Sequence, residues 1–368
     1  MAKNDTCCEQ FMNFGGKDEK TKLLRMLELY SGIGGMHFAL QKACIPHAII
    51  GAYDINTVAN DIYKFNFPHS NHCQRNIHSL TVQELDDMKA DLLTMSPPCQ
   101  PFTRVGLKQD CLDNRTSSFL HIIQLMKHVQ HGPTYILLEN VKGFETSEAR
   151  RMLLEVLNEC GYVFQEFLLS PVQFGIPNSR LRYYLLAKKS PFQFCFKPSD
   201  DIFREFVDVP SSLDDKKCDI LQNYLECDRC TDPYLISDRI LLKYAMVFDI
   251  VDASSSNCCC FTKAYGHYFQ GTGSILRQNC DVSMSEIFQK TLDKNLEETE
   301  KLELLKKLRL RYFTPTEVAN LMCFPQHFKF PLTVTRKQQY RVLGNSVNVG
   351  VISELLKLLL NNESYVES

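Results

Sequence analysis

The chain has 368 residues, enough for one large domain or for one domain that carries an insertion. Its formal net charge is −2, so it lacks a global basic field, and attraction to a nucleic acid would have to come from local patches. Hydrophobic residues make up 44% and charged residues 23%, as in ordinary globular proteins. The polar first ten residues predict no signal peptide, and we expect no membrane-spanning segment.

Sixteen cysteines are an unusually large number for such a chain. Without a signal peptide we expect a reducing compartment, the cytoplasm or the nucleus, and therefore free thiols rather than disulfides. Cys227 and Cys230 have the spacing of a zinc knuckle, but no second CxxC or HxxxH pair completes a ligand set. We therefore predict no metal site.

The first half of the chain has the pattern of an α/β protein. Residues 1–22 lack apolar periodicity and are predicted to form a flexible tail. From Leu23 to about Ser190, short apolar runs alternate with amphipathic stretches, which predicts a doubly wound, Rossmann-like and mostly parallel sheet. The predicted strands are Leu23–Leu29, Ala48–Tyr53, Leu92–Met95, Tyr135–Leu138, Phe164–Leu169 and Arg182–Ala187. The predicted helices are Gly35–Ala43, Val58–Phe65, Thr81–Met88, Ser118–Val129 and Ser147–Cys160.

After Pro191 this alternation stops, which divides the chain into domains. Residues 23–190 are predicted to be the first part of the large domain, and 191–310 a small inserted domain. Residues 311–362 then return to complete the large domain, and 363–368 form a tail. Residues 285–311 have the apolar spacing of one amphipathic helix, with acids first and bases last. The basic end of that helix is either a solvated face or a ledge for phosphates.

Polar groups follow the first two predicted strands. The first strand runs into the glycine turn Ser31-Gly-Ile-Gly-Gly35, which lets a backbone approach a ligand closely. Asp54 closes the second strand, where a carboxylate can accept hydrogen bonds from ribose hydroxyl groups. A dinucleotide-binding fingerprint would need glycine where His37 stands, which argues against a dehydrogenase.

Later strands are also followed by reactive groups. Cys99 stands behind the rigid diproline of Ser96-Pro-Pro-Cys-Gln-Pro-Phe, directly after an apolar run. Glu139 follows a predicted buried strand, where a carboxylate is costly unless it faces a cleft or has a partner. Arg180 and Arg182 share one face of an extended segment, so both guanidinium groups can point into one cleft. Each feature alone also fits an ordinary turn or surface residue.

Taken together and in this order, these motifs resemble the cytosine-5 methyltransferase family. The resemblance continues in residues 311–325 and 340–347 and covers essentially all of residues 23–361. Residues 27–36 and the segment Cys260-Phe-Thr-Lys-Ala-Tyr-Gly266 are most similar to the type-2 branch, the tRNA-aspartate cytosine-5 methyltransferases. One departure is Asn178, where many relatives have Gln.

The resemblance implies an enzyme that methylates carbon 5 of a cytosine with S-adenosylmethionine and releases S-adenosylhomocysteine, with residues 191–310 as its target-recognition domain. The implied catalytic residues are Cys99 as covalent nucleophile, Glu139 as acid, and Arg180 and Arg182 as their support. The implied cofactor residues are Ser31, Gly32, Ile33, Gly34, Gly35, Asp54, Ile55, Ile77, His78, Ser96, Asn345, Ser346 and Val347. The expected substrate contacts are Gln100, Thr103, Arg104, Cys260, Phe261, Thr262, Lys263, Lys306 and Lys307, with Arg309 and Arg311 as further phosphate contacts.

The implied substrate is a cytosine in the anticodon loop of tRNA-aspartate. The protein is expected to be a monomer that binds no membrane and binds DNA only weakly. DNA cytosine-5 methylation is the main alternative, because both branches share the catalytic residues, but the short insertion favours tRNA. A non-catalytic protein that binds S-adenosylmethionine or RNA is the alternative of another class. The presence of both Cys99 and Glu139 argues against it. No histidine stands where it suggests a base for Cys99, which disfavours a thiol hydrolase.

Overall fold

The computed structural model describes residues 23–98, 117–207, 218–226 and 231–361. In this part of the chain, seven strands form one sheet and three form a second, small sheet. The strands are β1 Leu24–Leu29, β2 His47–Asp54, β3 His72–Gln74, β4 Leu92–Met95, β5 Tyr135–Val141, β6 Tyr162–Leu169, β7 Arg182–Lys189, β8 Ile250–Val251, β9 Ile275–Arg277 and β10 Leu310–Tyr312. The helices are α1 Gly35–Lys42, α2 Thr57–Asn66, α3 Val82–Met88, α4 Ser117–Met126, α5 Glu148–Glu159, α6 Asp238–Tyr244, α7 Met284–Thr291, α8 Glu298–Lys306, α9 Pro315–Leu321, α10 Arg336–Gly344 and α11 Val349–Leu360.

The large sheet has the strand order β3-β2-β1-β4-β5-β7-β6. Strand β7 is antiparallel to both of its neighbours, and the other pairs are parallel. The chain order reverses between β1 and β4, and ligands bind α/β sheets outside the carboxyl ends of strands at such a point. Arg182 begins β7 and is paired with Val141 at the end of β5. Because β7 is antiparallel, its first residue, Arg182, lies at the edge of the sheet where the parallel strands end.

Helices cover both faces of this sheet. One hydrophobic core lies under α1, α2 and α11, and the other lies under α3, α4 and α5. All four residues of β4 are buried, as expected for a parallel strand that is covered on both faces. The predicted α/β class with a doubly wound sheet is confirmed.

Two details of the large sheet differ from the sequence prediction. Strand β3 was not predicted, because it has three half-exposed or exposed residues at the edge of the sheet and no apolar pattern. Strand β5 does not end at Leu138 but continues to Val141, since β7 supplies backbone partners for Glu139, Asn140 and Val141. Glu139 therefore lies within a strand.

The prediction of one helix over residues 285–311 is wrong. The segment folds into α7, α8 and the strand β10. Asp293 accepts a hydrogen bond from the backbone N–H of Asn295, which stabilises a turn between the two helices. Glu297 then begins α8 through a capping box with Glu300. In the small sheet, β10 spans the predicted domain boundary at 310/311 and pairs with β9.

The stretch 336–360 is long enough for a membrane span and contains an 18-residue segment with a mean hydropathy of 1.3. Such a stretch was not expected from the sequence. It consists of α10 and α11, and 72% of its apolar window is buried. Helix α11 packs on α1, β5 and β7, so its apolar character belongs to the core of the fold.

Candidate active site

The glycine turn between β1 and α1 forms one wall of the candidate site. Gly34 has a φ of 86°, a conformation that favours glycine. A Cβ on Gly35 would lie 2.6 Å from a methyl carbon of Val347 and 3.2 Å from the Ser346 hydroxyl oxygen. Glycine at this position therefore lets the turn approach residues 346–347. Gly35 and residues 346–347, all predicted to bind the cofactor, are thus neighbours in the structure.

Asp54 links the glycine turn to the next helix. Its carboxylate accepts hydrogen bonds from the backbone N–H groups of Gly32 and Asn56, both at 2.8 Å. Burial raises the pKa of Asp54, and these N–H groups oppose the rise. The side chain of Asn56 in turn accepts from the N–H of Ala59 and begins α2. The acid at the end of β2 thus holds the turn after β1 in place.

A cleft of about 520 Å³ opens between these loops, at the edge where the parallel strands end. It brings together predicted residues from widely separated parts of the chain. The predicted residues that line it are Gly32, Ile33, Asp54, Ile55, Ile77, Ser96, Glu139, Arg180, Arg182, Lys263, Asn345 and Ser346.

Other predicted residues lie behind the cleft or away from it. Ser31, Phe261 and Val347 are buried next to lining residues, and His78 is exposed with its ring 4.6 Å from the ring of His121. Cys260 and Thr262 are partly buried neighbours of Phe261. Cys99, Gln100, Thr103 and Arg104 lie outside the described residues, as do Cys227 and Cys230.

The segment that leads to Cys99 is held at the cleft. The Ser96 hydroxyl donates to the carbonyl oxygen of Tyr30 at 3.1 Å, and the Asn140 amide donates to the carbonyl oxygen of Pro97 at 3.4 Å. Pro97 and Pro98 both line the cleft. The described part of this segment therefore ends at Pro98, in the wall of the cleft.

Glu139 and Arg182 form a pair inside the cleft. The Glu139 Oε1 atom lies 3.6 Å from Arg182 Nε, and the Glu139 residue is only 8% exposed. Burial raises the pKa of Glu139, while the positive charges of Arg182 and Arg180 oppose the rise. A carboxyl group with a raised pKa keeps its proton to a higher pH than an exposed one and can donate it.

Arg180 fixes loops around the cleft. Its guanidinium donates to the carbonyl oxygens of Phe261 at 3.3 Å and Gly344 at 3.2 Å, and also to that of Ser346. Among the described residues, its buried Nε atom has no hydrogen-bond partner. Arg180 therefore holds the loop around Phe261 against the return segment and keeps one donor unused.

Cys260 has an unusual position between the two arginines. Its sulfur lies 3.4 Å from Arg180 Nη1 and 3.7 Å from Arg182 Nη2. Burial raises the pKa of this thiol, but the two guanidinium groups outweigh burial, so the pKa lies below its ordinary value. Arg180 and Arg182 thus interact electrostatically with both the Glu139 carboxyl group and the Cys260 thiol.

Several polar residues of the cleft were not predicted as site residues, among them Asn56, Asn76, Ser117, Ser118 and Arg341. Arg341 is exposed at the rim, as is Lys263. Both asparagines begin helical turns, which is a readable signal for a cap and not for a ligand contact. Arg341 lies in residues 340–347, one of the segments that resemble the family. The sequence alone does not show that this face of α10 lines the cleft.

At the basic end of residues 285–311, most side chains that were expected to contact phosphates are instead paired with acidic side chains. Lys306 lies 3.1 Å from Asp238 and 3.3 Å from Glu303, and Arg309 lies 3.0 Å from Asp232. Arg311 is a correction, because it is 3% exposed and forms a buried ion pair with Glu317 at 2.7 Å. It cannot contact a phosphate, since its charge is neutralised inside the protein. Lys307 remains exposed.

A glycine turn and a strand-terminal acid at the switch point of a doubly wound sheet, facing a carboxyl and two arginines, define the class of Rossmann-like methyltransferases. The chain belongs to the C-5 cytosine-specific DNA methylase family, whose sequence profile matches residues 24–361.

Named relatives and a solved structure agree with this membership. The chain is 42% identical to a human tRNA (cytosine(38)-C(5))-methyltransferase, over 91% of this chain and 99% of the relative. It is 40% identical to a DNA (cytosine-5)-methyltransferase of Dictyostelium discoideum, over 92% and 94%. A crystal structure of a mutant of Spodoptera frugiperda DNMT2 matches with a TM-score of 0.80 and 45% identity, over 92% of this chain and 99% of that one.

Proposed function

We propose that this protein methylates carbon 5 of a cytosine in the anticodon loop of tRNA-aspartate, with S-adenosylmethionine as methyl donor. The observation that carries the proposal is the cleft that joins the Asp54-held glycine turn to the pair of Glu139 and Arg182. The 42% identity to a named tRNA methyltransferase over nearly its whole length supports tRNA as the substrate.

The residues at the glycine turn fit S-adenosylmethionine. Ser31 Oγ is buried there without a hydrogen-bond partner among the described residues, and Gly35 leaves room that a Cβ would fill. The carboxylate of Asp54 has acceptor capacity for ribose hydroxyl groups. The residues that would hold the cofactor are Ser31, Gly32, Ile33, Asp54, Ile55, Ile77, Ser96, Asn345 and Ser346. When bound, the cofactor supplies an electrophilic methyl group.

The protein must activate the cytosine, because carbon 5 of the ring is a poor nucleophile. In our proposal the Cys99 thiolate forms a bond to carbon 6, and the displaced π electrons make carbon 5 nucleophilic. Glu139 in its neutral form donates a proton or a hydrogen bond to ring nitrogen 3, where negative charge develops. Arg182 supports this carboxyl and can donate to the base carbonyl oxygen. After methylation, loss of the carbon 5 proton returns electrons to the ring, and the bond from carbon 6 to sulfur breaks.

The reaction requires an unstacked cytosine, because neither face of a stacked base is accessible to the thiol. An anticodon loop offers such a base at a lower cost than a duplex does. Lys263 and Arg341 at the rim are suited to bind the phosphates of such a loop.

Replacing Asp54 by Ala is expected to weaken S-adenosylmethionine binding by about 1–3 kcal/mol, because the ribose would lose a charged acceptor and the glycine turn would lose its support. Isothermal titration calorimetry measures the change. Asp61→Ala removes an exposed acid from the same region and should leave the affinity unchanged. Equal affinities of the two variants would show that Asp54 does not contribute to the site.

The choice of nucleic acid is tested by transfer of a tritiated methyl group to tRNA-aspartate and to duplex DNA in parallel. We expect much faster incorporation into the tRNA, because the anticodon loop presents the cytosine unpaired. Bisulfite sequencing of the product should locate the methyl group in that loop. A DNA rate equal to or above the tRNA rate would instead favour DNA methylation, the activity named for the Dictyostelium discoideum relative. Cofactor binding without methylation of either substrate would favour a non-catalytic role.

A further inference from the structure

An exposed apolar surface lies on the small domain. It is formed by Leu242, Met246, Val247 and Tyr268, whose exposed fractions are 38%, 57%, 49% and 59%. The first three flank Tyr244 in the chain, and Tyr268 precedes Phe269. The rings of Tyr244 and Phe269 are 4.8 Å apart, which joins the two segments into one surface, here called the Tyr268 surface. Exposed apolar side chains that are gathered in this way mark interaction sites.

The backbone holds Tyr268 in a fixed place. Its N–H donates to the carbonyl oxygen of Ala264 at 2.9 Å, and its carbonyl oxygen accepts from the Thr272 hydroxyl at 2.6 Å. The ring of Phe269 also lies 6.3 Å from the ring of Phe248. Tyr268 therefore belongs to a turn whose backbone is held by hydrogen bonds on both sides, so binding a partner requires little further ordering of that backbone.

The backbone of Tyr268 lies close to a residue that lines the active-site cleft. The hydrogen bond from Tyr268 to Ala264 returns the chain to a position beside Ala264, the residue that follows Lys263. Lys263 lines the cleft together with Arg182 and Glu139. A nucleic acid that places one nucleotide in the cleft can therefore reach Tyr268 with a neighbouring nucleotide.

Two lysines belong to the segments that form or adjoin this surface. Lys243 and Lys263 are exposed, and no carboxylate of the described residues lies within salt-bridge distance of either ammonium group. The Lys243 Nζ atom lies 5.2 Å from the centre of the Tyr244 ring. Aromatic rings interleaved with cations are the combination that binds single-stranded nucleic acids, because bases stack on the rings while phosphates contact the cations.

We propose that the Tyr268 surface binds the unpaired nucleotides next to the target cytosine, with one base stacked on the Tyr268 ring. This inference rests on the proposed function. Removing the target base from its stack exposes the faces of its neighbours, and a ring that covers one of them offsets part of that cost. RNA accounts for the surface better than a protein partner, because the backbone of Tyr268 lies close to a residue that lines the cleft and the two lysines have no carboxylate partner in the described part of the chain.

The test uses Tyr268→Ala, Tyr268→Phe and, as a control, Leu292→Ala, which removes an exposed apolar side chain at the C-terminal end of α7. The probe is the anticodon stem-loop of tRNA-aspartate with 2-aminopurine on either side of the target cytosine. We expect Tyr268→Ala to weaken RNA binding by about 10-fold and to abolish quenching of one 2-aminopurine. Tyr268→Phe and Leu292→Ala should behave like the unmodified protein, and all three variants should keep their cofactor affinity.

Two results would overturn the inference. Unchanged RNA affinity in Tyr268→Ala would show that the surface serves another partner, and a loss in Tyr268→Phe as large as in Tyr268→Ala would show that stacking is not its role. Failure of the proposed function looks different, because the unmodified protein would then not methylate tRNA-aspartate. The binding titration with the stem-loop does not depend on methyl transfer, so the two failures can be told apart.

Discussion

Replacing Glu139 by Gln is expected to slow methyl transfer by about 10²–10⁴-fold while leaving cofactor affinity within a few-fold. The amide has the size of the carboxyl group and can still donate a hydrogen bond, but it cannot release a proton. Glu139 is paired with Tyr184 across β5 and β7 and is buried beside Arg182. Because its surroundings remain intact in the variant, the loss would measure the proton and not the fold.

The pH dependence gives an independent readout of this role. Burial raises the pKa of Glu139 above 4.5, against the opposing charges of Arg182 and Arg180. The neutral acid is the active form, so the rate attributable to it is present below the raised pKa and is lost as pH rises through it. The profile of kcat/KM should therefore have an alkaline limb that Glu139→Gln lacks.

The matched control is Glu155→Gln, an exposed glutamate on α5 that pairs with Arg151. It should keep the rate and the pH profile of the unmodified enzyme. A rate for Glu139→Gln within a few-fold of that enzyme would remove Glu139 from the proton-transfer step.

The parts of the site that follow from strand ends could be predicted from the sequence. Leu92–Met95 is apolar except for Thr94 because its strand is covered on both faces, and such runs are readable. The carboxyl ends of parallel strands meet at one edge, so Asp54 and the glycine turn had to be neighbours. The hydrogen bond from the N–H of Gly32 to Asp54 is the result of that geometry.

Contacts between distant segments could not be predicted in the same way. Arg180 donates to Gly344, 164 positions along the chain, and no local pattern encodes such a partner. Nor does local charge distinguish a phosphate contact from an ion pair, as Arg311 shows: its basic neighbours suggested a ledge, but Glu317 neutralises it in the interior. Burial and partners decide what an arginine does, and both are set by tertiary packing.

The arginine contacts also explain how one cleft is assembled from three parts of the chain. Arg180 precedes β7 of the large sheet, Phe261 belongs to the predicted small domain, and Gly344 belongs to the predicted return segment. Several hydrogen bonds from one guanidinium therefore fix the loop around Phe261 relative to residues 344–346. In the proposed reaction, the alignment of base and methyl donor would depend on these contacts, because small displacements of reacting groups are costly.

Cys99→Ala is expected to abolish methyl transfer to tRNA and to leave cofactor affinity within a few-fold. Without the thiol no bond forms at carbon 6, and carbon 5 stays a poor nucleophile. Cofactor binding should persist because its residues lie on other loops, around Asp54 and the glycine turn. Cys280→Ala, which removes an exposed thiol elsewhere, should keep full activity. Substantial activity in Cys99→Ala would exclude the covalent mechanism.

The adduct itself can be trapped with an anticodon stem-loop that carries 5-fluorocytosine. Fluorine at carbon 5 cannot leave as a proton, so the bond from carbon 6 to sulfur should persist after methylation. Mass spectrometry of the digested complex then identifies the attached thiol. This choice is informative because Cys260, a thiol behind the cleft and between two guanidinium groups, has a lowered pKa. We expect the adduct on the peptide that contains Cys99. An adduct on Cys260 would exchange the roles of the two thiols and leave the Glu139 prediction unchanged.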